Sequence, residues 1–374
     1  MKIDLLYEIQ NPHASEYDAY WQAVQQIELA DRMGFDTVWC VEHHFLDGFS
    51  HSSAPEVFLA AVSQRTERIR IGHGVVLLPH PFNHPIRVAE RIGALDILSN
   101  GRVEFGTGRS SPFEQEPFGI DPEESRAMWE EALRVIPRMW TEERFEYSGR
   151  YFEIPERSVV PRPIQRPHPP IWMAATSPES WELAGRHGIG ILGLTIFVSV
   201  DQIAERIAAY RETVRHAVPV GRVVNDQCGA FTVVHCAPTE EEAVANGGTQ
   251  ATVNYVLYAI KVFAGGKKPE ERLETDPVRT GSETRATQRS YQDLTKAYPL
   301  LEKMVKGELT HEELDAQDMV IVGDPDKCVR KLERYRDAGC DRVLCLMQHG
   351  EIPHEAVMAS IELFGKHVIP HFDA

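Results

Sequence analysis

The chain has 374 residues, 43% hydrophobic and 25% charged, close to the soluble globular average, so a sizeable core is expected and disorder is not. Its formal net charge of −17 argues against a duplex nucleic-acid binder, which needs a basic surface to neutralise phosphates. Six cysteines without C-x-x-C spacing, no apolar run of about 18 residues, and an N-terminus "MKIDLLYEIQNPH" interrupted by Asp4 and Glu8 point to a reduced, cytoplasmic chain without membrane span or signal peptide.

Short β-rich segments alternate with amphipathic stretches in chain order. "IDLLYEI" (3–9) reads as a strand, and 17–34 as a helix with apolar residues near helical spacing and Gly34 as its stop. "FDTVWCVEH" reads as the second strand and 54–66 as the second helix, with Pro55 in its first turn. The alternation continues with strands at 69–79 and 102–108, each followed by a helix, at 84–101 and 123–140. An irregular, Pro-rich piece spans 141–170, before strand 171–176, helix 177–188, strand 189–194, helix 201–217 and strand 227–236. A helical "TEEEAVANGG", helix 324–339, strand 341–347 and helix 354–370 complete the pattern.

Eight strands, each near a helix, predict a single (β/α)8 TIM barrel over 1–374 with insertions. A doubly wound open sheet is the alternative, but "YEIQNPHAS" after the first strand lacks the glycine fingerprint that fold wants. Residues 264–290, polar and rich in charge, Gly and Pro, read as a long mobile loop, either a lid or a disordered insertion.

In such a barrel the chemistry gathers at the C-terminal ends of the strands. Glu42, His43 and His44 end the second strand; His73 and Gly74 lie in the third; Thr107, Gly108 and Arg109 end the fourth, Thr176 and Ser177 the fifth, and Gly193, Leu194 and Thr195 the sixth. Alternation along a strand aims His43 and His44 to opposite faces, which disfavours a shared metal, and no H-x-H or H-E-x-x-H occurs. "FGTGRSS" lacks the third glycine of a dinucleotide loop, and Gly106 and Gly108 more plainly let a flat ligand lie against the backbone. "TSPES" offers hydroxyls and free N–H groups at a helix start, which suits a phosphate or serves as an ordinary cap. Tyr7, Trp39, Phe45, Phe49 and Phe113 are candidates for an apolar pocket, with plain core as the competing reading.

"GFDTVWCVEHHF", "IRIGHGVVLLPHPFNHPIRVAERIGALDILSNGRVEFGTGR", "ESRAMWEEAL" and "PIWMAATSPESWELAGRHGIGIL" together resemble the bacterial-luciferase-like flavin-dependent monooxygenases, nearly end to end. The resemblance implies a barrel that binds reduced FMN from a separate flavin reductase. It also implies an oxygen atom inserted from O2, through a C4a-peroxyflavin, into an apolar organic substrate such as an aldehyde or ketone, and a homodimer. It implies that His43, the first histidine of E-H-H, is catalytic and that a cis peptide joins Gly74 and Val75 behind the flavin ring. The phosphate would be held by Arg126 with Thr176, Ser177 and Ser180, and Arg109, Gly108, Ala175 and Leu194 would lie along the cofactor.

The chain departs from luciferase where Gly108 replaces a cysteine, leaving more room beside the flavin or a different peroxyflavin lifetime, where Thr176 replaces an acid, and where Leu194–Thr195 replace a serine–tryptophan pair, so light emission does not follow. Relatives that use the deazaflavin F420 for hydride transfer supply the alternative cofactor. A His-cluster metallohydrolase and a non-catalytic flavin-binding barrel are the remaining alternatives.

Overall fold

Eight parallel strands close on themselves. β1 (Lys2–Tyr7), β2 (Thr37–Cys40), β3 (Arg70–Leu77) and β4 (Val103–Gly108) run in order, followed after a two-stranded hairpin, β5 (Phe145–Ser148) and β6 (Glu153–Arg157), by β7 (Ile171–Ala175) and β8 (Gly190–Gly193). β8 pairs with β9 (Cys228–Cys236), β9 with β11 (Arg342–Leu346), and β11 with β1, which closes the ring. The structure, a computed structural model, describes residues 1–10, 15–196, 198–263 and 299–372; the lid expected at 264–290 lies outside the described residues.

All eight expected strands are present, and closure through β8 and β9 excludes the open doubly wound sheet. Several elements were not foreseen, among them the short helices Pro112–Gln115, Pro299–Lys306 and His311–Asp315. The hairpin β5–β6 lies within the piece read as irregular. β10 (Val320–Gly323) pairs with the upper half of β9, where β8 has already ended. The helix Gly248–Phe263 extends well past the "TEEEAVANGG" stretch and lies over the barrel top.

Local chemistry explains the element ends. Helix α1 (Glu16–Met33) starts where the Ser15 hydroxyl accepts from the Asp18 N–H at 3.1 Å, and it stops at Gly34, whose φ of 94° suits only glycine well. Its Ala19, Ala23, Val24, Ile27 and Ala30 recur at helical spacing and are buried against the strands. Helices α2 (Pro55–Ser63) and α3 (Pro85–Leu98) each follow a strand, the short α4 (Pro112–Gln115) precedes α5 (Ser125–Thr141) after β4, and α6 (Pro178–His187) and α7 (Val200–Val214) resume the strand-to-helix rhythm.

Apolar residues fill two shells. One lies between strands and helices; the other lies inside the barrel and continues upward beneath helix Gly248–Phe263. The barrel floor is plugged by Trp39 and Trp172, whose rings meet nearly edge-on at 5.4 Å, with the Arg342 guanidinium 4.7 Å from the Trp172 ring. Asp4 takes a 2.8 Å hydrogen bond from Trp39 Nε1 and another of 2.8 Å from Arg342, while Trp172 Nε1 donates to Glu104 at 2.6 Å. These bonds offset much of the lost hydration of the floor, although Asp4 Oδ1 and Arg342 Nε have no hydrogen-bond partner among the described residues. The space left for chemistry is the C-terminal mouth.

Candidate active site

His43 sits at that mouth between two carboxyl groups. Its Nδ1 lies 3.0 Å from Glu114 Oε1, and its Nε2 lies 3.8 Å from Glu8 Oε2. β2 ends at Cys40, so His43 and His44 stand on the following loop and not on the strand itself. The loop is pinned by the His43 N–H donating to Ser52 O at 3.0 Å and the His44 N–H donating to Glu114 Oε1 at 2.8 Å. The two imidazoles do diverge as expected, but the loop and Glu114 cause it rather than strand alternation.

Glu114 is fully buried, and all its hydrogen bonds come from this corner of the site. Oε1 serves His43 and the His44 N–H; Oε2 accepts from Ser110 Oγ at 2.6 Å and from Ser111 Oγ at 3.2 Å. Burial alone would raise its carboxyl, but the His43 charge and these donors outweigh it and hold Glu114 down at about 2. For His43, burial opposes the charge and the Glu114 and Glu8 carboxyls overcome it, pushing the imidazole up to about 9. His43 is therefore the imidazolium at neutral pH, a proton donor rather than the base that an unperturbed histidine near 6.5 offers. Its folded pKa lies above the unfolded one, so its contribution to stability is complete below about 6.5 and fades as pH rises through about 9. That of Glu114 is complete above about 4.5 and is lost as pH falls through about 2. Replacing Glu114 with Gln is expected to bring the His43 pKa, followed by imidazole NMR, down from about 9 toward the ordinary value.

His44 has a different occupation. Its Nε2 lies 3.4 Å from Glu42 Oε1, and its ring stacks on Phe82 at 5.6 Å. Glu42 accepts from the Leu77 N–H and from Asn83 Nδ2, both at 2.8 Å, so it fastens the end of β3 to the loop above it. Phe118 packs 4.5 Å from Phe82 and 5.0 Å from His44, with Phe45 at 5.8 Å. Phe45 is 59% exposed at a φ of 64°. These rings form one wall of the mouth, with Phe113 partly buried against the inner shell. Across from them Phe49, Tyr255 and Phe231 stack at 5.3 and 5.6 Å.

The Gly74–Val75 peptide is cis, and the β3–β4 register slips between His73 and Val76, so Val75 joins the inner shell. A side chain at Gly108 would meet Val75 Cγ2 at 2.4 Å, and one at Gly106 would meet the His73 carbonyl at 2.0 Å. The space expected where luciferase has a cysteine is thus taken by Val75, so Gly108 leaves no extra room. Ala174 is open to the mouth, whereas Ala175 is buried in the outer shell and meets the site only by its carbonyl, which accepts from the Leu194 N–H at 3.0 Å.

Two arginines and the start of α6 converge. Arg109 donates to Ser125 Oγ at 3.0 Å; burial and then the nearby Arg126 lower its pKa. Neither arginine forms an ion pair with a carboxylate among the described residues, and two neighbouring cations in that state suit an anion. Ser177 caps α6, its N–H donating to Ser180 Oγ at 3.1 Å, and Arg206 of α7 donates to Thr176 O at 3.2 Å. The Glu179 carboxyl is held low by its own N–H and the Ser177 hydroxyl, then by Arg126 and Arg206, so this helix start already draws a negative charge. The residues expected to hold a flavin phosphate fit a phosphate.

Tyr7 and Trp39, expected in the substrate pocket, are elsewhere. Tyr7 points outward from β1, its hydroxyl donating to Gln26 at 3.1 Å in the outer shell, and Trp39 belongs to the barrel floor. The sequence reading did not single out Glu114, nor Glu8 and Tyr255 as site residues. Among the described residues no three His, Cys, Asp or Glu side chains are grouped to hold a metal, and no helix is long and apolar enough to cross a membrane. All six cysteines are free and buried.

The model of the luciferase-like monooxygenases matches residues 1–342. Limonene 1,2-monooxygenase of Rhodococcus erythropolis is 30% identical over 96% of this chain and 84% of its own length. The oxygenase component of a flavin-dependent trigonelline monooxygenase from Acinetobacter baylyi is 33% identical over 46% of the chain and 48% of its own. An F420-dependent hydroxymycolic acid dehydrogenase of Mycobacterium tuberculosis is 34% identical over 45% of the chain and 47% of its own. The crystal structure of the monooxygenase RslO1 from Streptomyces bottropensis superposes over the whole of both chains, with a TM-score of 0.79 and 26% identity. With its barrel, its mouth and a family model spanning residues 1–342, this chain belongs to the luciferase-like monooxygenase family and is an enzyme.

Proposed function

We propose that the protein is the oxygenase of a two-component system, a one-domain barrel that takes reduced FMN from a separate flavin reductase. It would insert one atom of O2 into an apolar organic substrate such as an aldehyde or ketone. The observation that carries this reading is the buried Glu114–His43 pair at the barrel mouth, which keeps a charged imidazole between two aromatic walls. Bound reduced flavin supplies the activation of O2; the protein supplies placement, proton delivery and exclusion of water. Arg109 and Arg126 with Ser177, Ser180 and the α6 N-terminus would hold the phosphate, and Gly74, Val75, Gly108 and Leu194 would lie beside the ring.

His43 presents Nε2–H to the reacting atoms, because Nδ1 is engaged by Glu114. Its position suits donating a proton to a developing oxyanion. The rings of Phe45, Phe82, Phe113 and Phe118 exclude water and favour an apolar ligand. Tyr17 and Trp21 lie side by side and exposed on α1, and they supply an apolar face for pairing two copies as a homodimer in the cytoplasm.

Flavin-fluorescence quenching and O2 uptake with FMN, NADH, a flavin reductase and a panel of apolar carbonyl compounds test the reading. FMN binding with substrate-dependent O2 uptake is expected. Reduction of F420 by an alcohol, without FMN affinity, would assign the barrel to the hydride-transfer branch instead.

A further inference from the structure

Gln115 is the last residue of the short helix α4 and is 1% exposed. Its Nε2 donates to the Arg109 carbonyl at 2.7 Å and to the Ser110 carbonyl at 3.4 Å. Those two acceptors decide which way the amide faces, because its own oxygen turned toward them would be repelled. The Oε1 on the other side is buried and has no hydrogen-bond partner among the described residues. An amide that leaves its acceptor unpaired inside the protein gains little stability for itself. What it does is hold the backbone of the turn between β4 and α4.

That turn needs holding. Ser110 lies at a φ of 65°, in the left-handed region that a residue with a Cβ seldom adopts. Glu114 Oε2 accepts from the hydroxyls of Ser110 and Ser111, while Gln115 donates to the carbonyls of Arg109 and Ser110. At the head of the turn, Arg109 donates to Ser125 Oγ at 3.0 Å. That hydroxyl donates in turn to Pro122 O at 2.8 Å, so toward the guanidinium it acts as an acceptor. The backbone and the side chain of Arg109 are thus fixed by two different elements, α4 and the start of α5. An arginine ordered in this way loses less freedom when it takes up an anion, which raises affinity without a further contact.

We propose that Gln115 is a positioning residue, which presents the Arg109 guanidinium to the flavin phosphate by clamping the Arg109 and Ser110 carbonyls. The inference rests on the reading of Arg109 as a phosphate ligand. Neighbouring side chains of α4 then serve the two halves of the site: Glu114 orders His43, and Gln115 orders the arginine.

FMN and riboflavin affinities of the full-length chain, by fluorescence quenching, test the clamp in a double-mutant cycle with Arg109. Q115M keeps the length and bulk of the side chain and removes both hydrogen bonds. It is expected to weaken FMN binding by about fivefold, the contribution of one ordinary hydrogen bond, and to leave riboflavin within about twofold. In the R109A background Q115M is expected to add nothing, since no guanidinium remains to be placed; damage to general packing would still add there. R109A alone tests the underlying reading, and FMN affinity that survives it removes the phosphate role and the clamp together. Where R109A weakens FMN but Q115M does not, only the clamp is overturned. Equal weakening of riboflavin by Q115M, or losses that add in full, overturns it as well. Should Q115M fail to fold, Q115E decides: it has the same size but sets a carboxylate against the two carbonyls and beside Arg109. FMN weakened by at least about fivefold with riboflavin held is expected, and unchanged FMN affinity overturns the proposal.

Discussion

Replacing His43 with Ala is expected to lower product formation by about 10²–10⁴-fold while FMN affinity stays within about twofold. The reasoning starts from position: His43 lies on the β2 loop, away from the arginines and helix start that suit the phosphate. Its removal leaves Glu114 buried with its Ser110, Ser111 and His44 donors still in place, so the loop keeps most of its anchorage. What is lost is the Nε2–H donor at the mouth. The pH profile supplies an independent reading. A donor held at about 9 keeps turnover level through neutral pH and lets it fall as pH rises through about 9. In E114Q that falling limb is expected to move toward about 6.5. An H43A enzyme as active as the wild type removes His43 from the chemistry.

The second large effect concerns the arginines. Removing one cation from a charge-assisted phosphate contact costs about 1.5–3 kcal/mol, so R126A and R109A are each expected to weaken FMN binding by roughly 10–100-fold. Riboflavin, which lacks the phosphate, controls for damage to the ring site: its affinity should not change in R126A. The double variant should behave less than additively, because Arg109 and Arg126 are close enough to feel one another's charge. Equal weakening of FMN and riboflavin would relocate these residues from phosphate binding to general packing.

The barrel itself was legible because period-2 apolar segments, helical stretches and Gly or Pro stops repeat along the chain, and those signals are local. β5, β6 and β10 were not legible. The hairpin is largely exposed and carries little apolar patterning, and β10 is four residues long beside a strand whose edge is vacated only in three dimensions.

The site divides in the same way. His43, Arg109 and the "TSPES" turn could be singled out because they stand near strand ends or a helix start, while Arg126, and the roles of His43 and Arg109, came only from what the family resemblance implies. Tyr7 could not be placed, since its inclusion ignored which face of β1 it occupies: Leu6 is inward and Tyr7 outward. Glu114 hid in "SPFE", which reads as an ordinary capping box, Ser111 with an acid three residues later. Folding brings that acid to His43, 71 positions earlier in the chain. Glu8 had a signal that could have been used: a carboxylate directly after an apolar strand, at the barrel end where sites collect.

The measurement that bears most directly on the function is isotope transfer from ¹⁸O2 in a single turnover with reduced FMN and a carbonyl substrate from the panel. One ¹⁸O atom per product molecule, with the other leaving as water and the yield collapsing in H43A, is the predicted result. Product formed without ¹⁸O, or turnover that proceeds under anaerobic conditions with F420, would contradict the account.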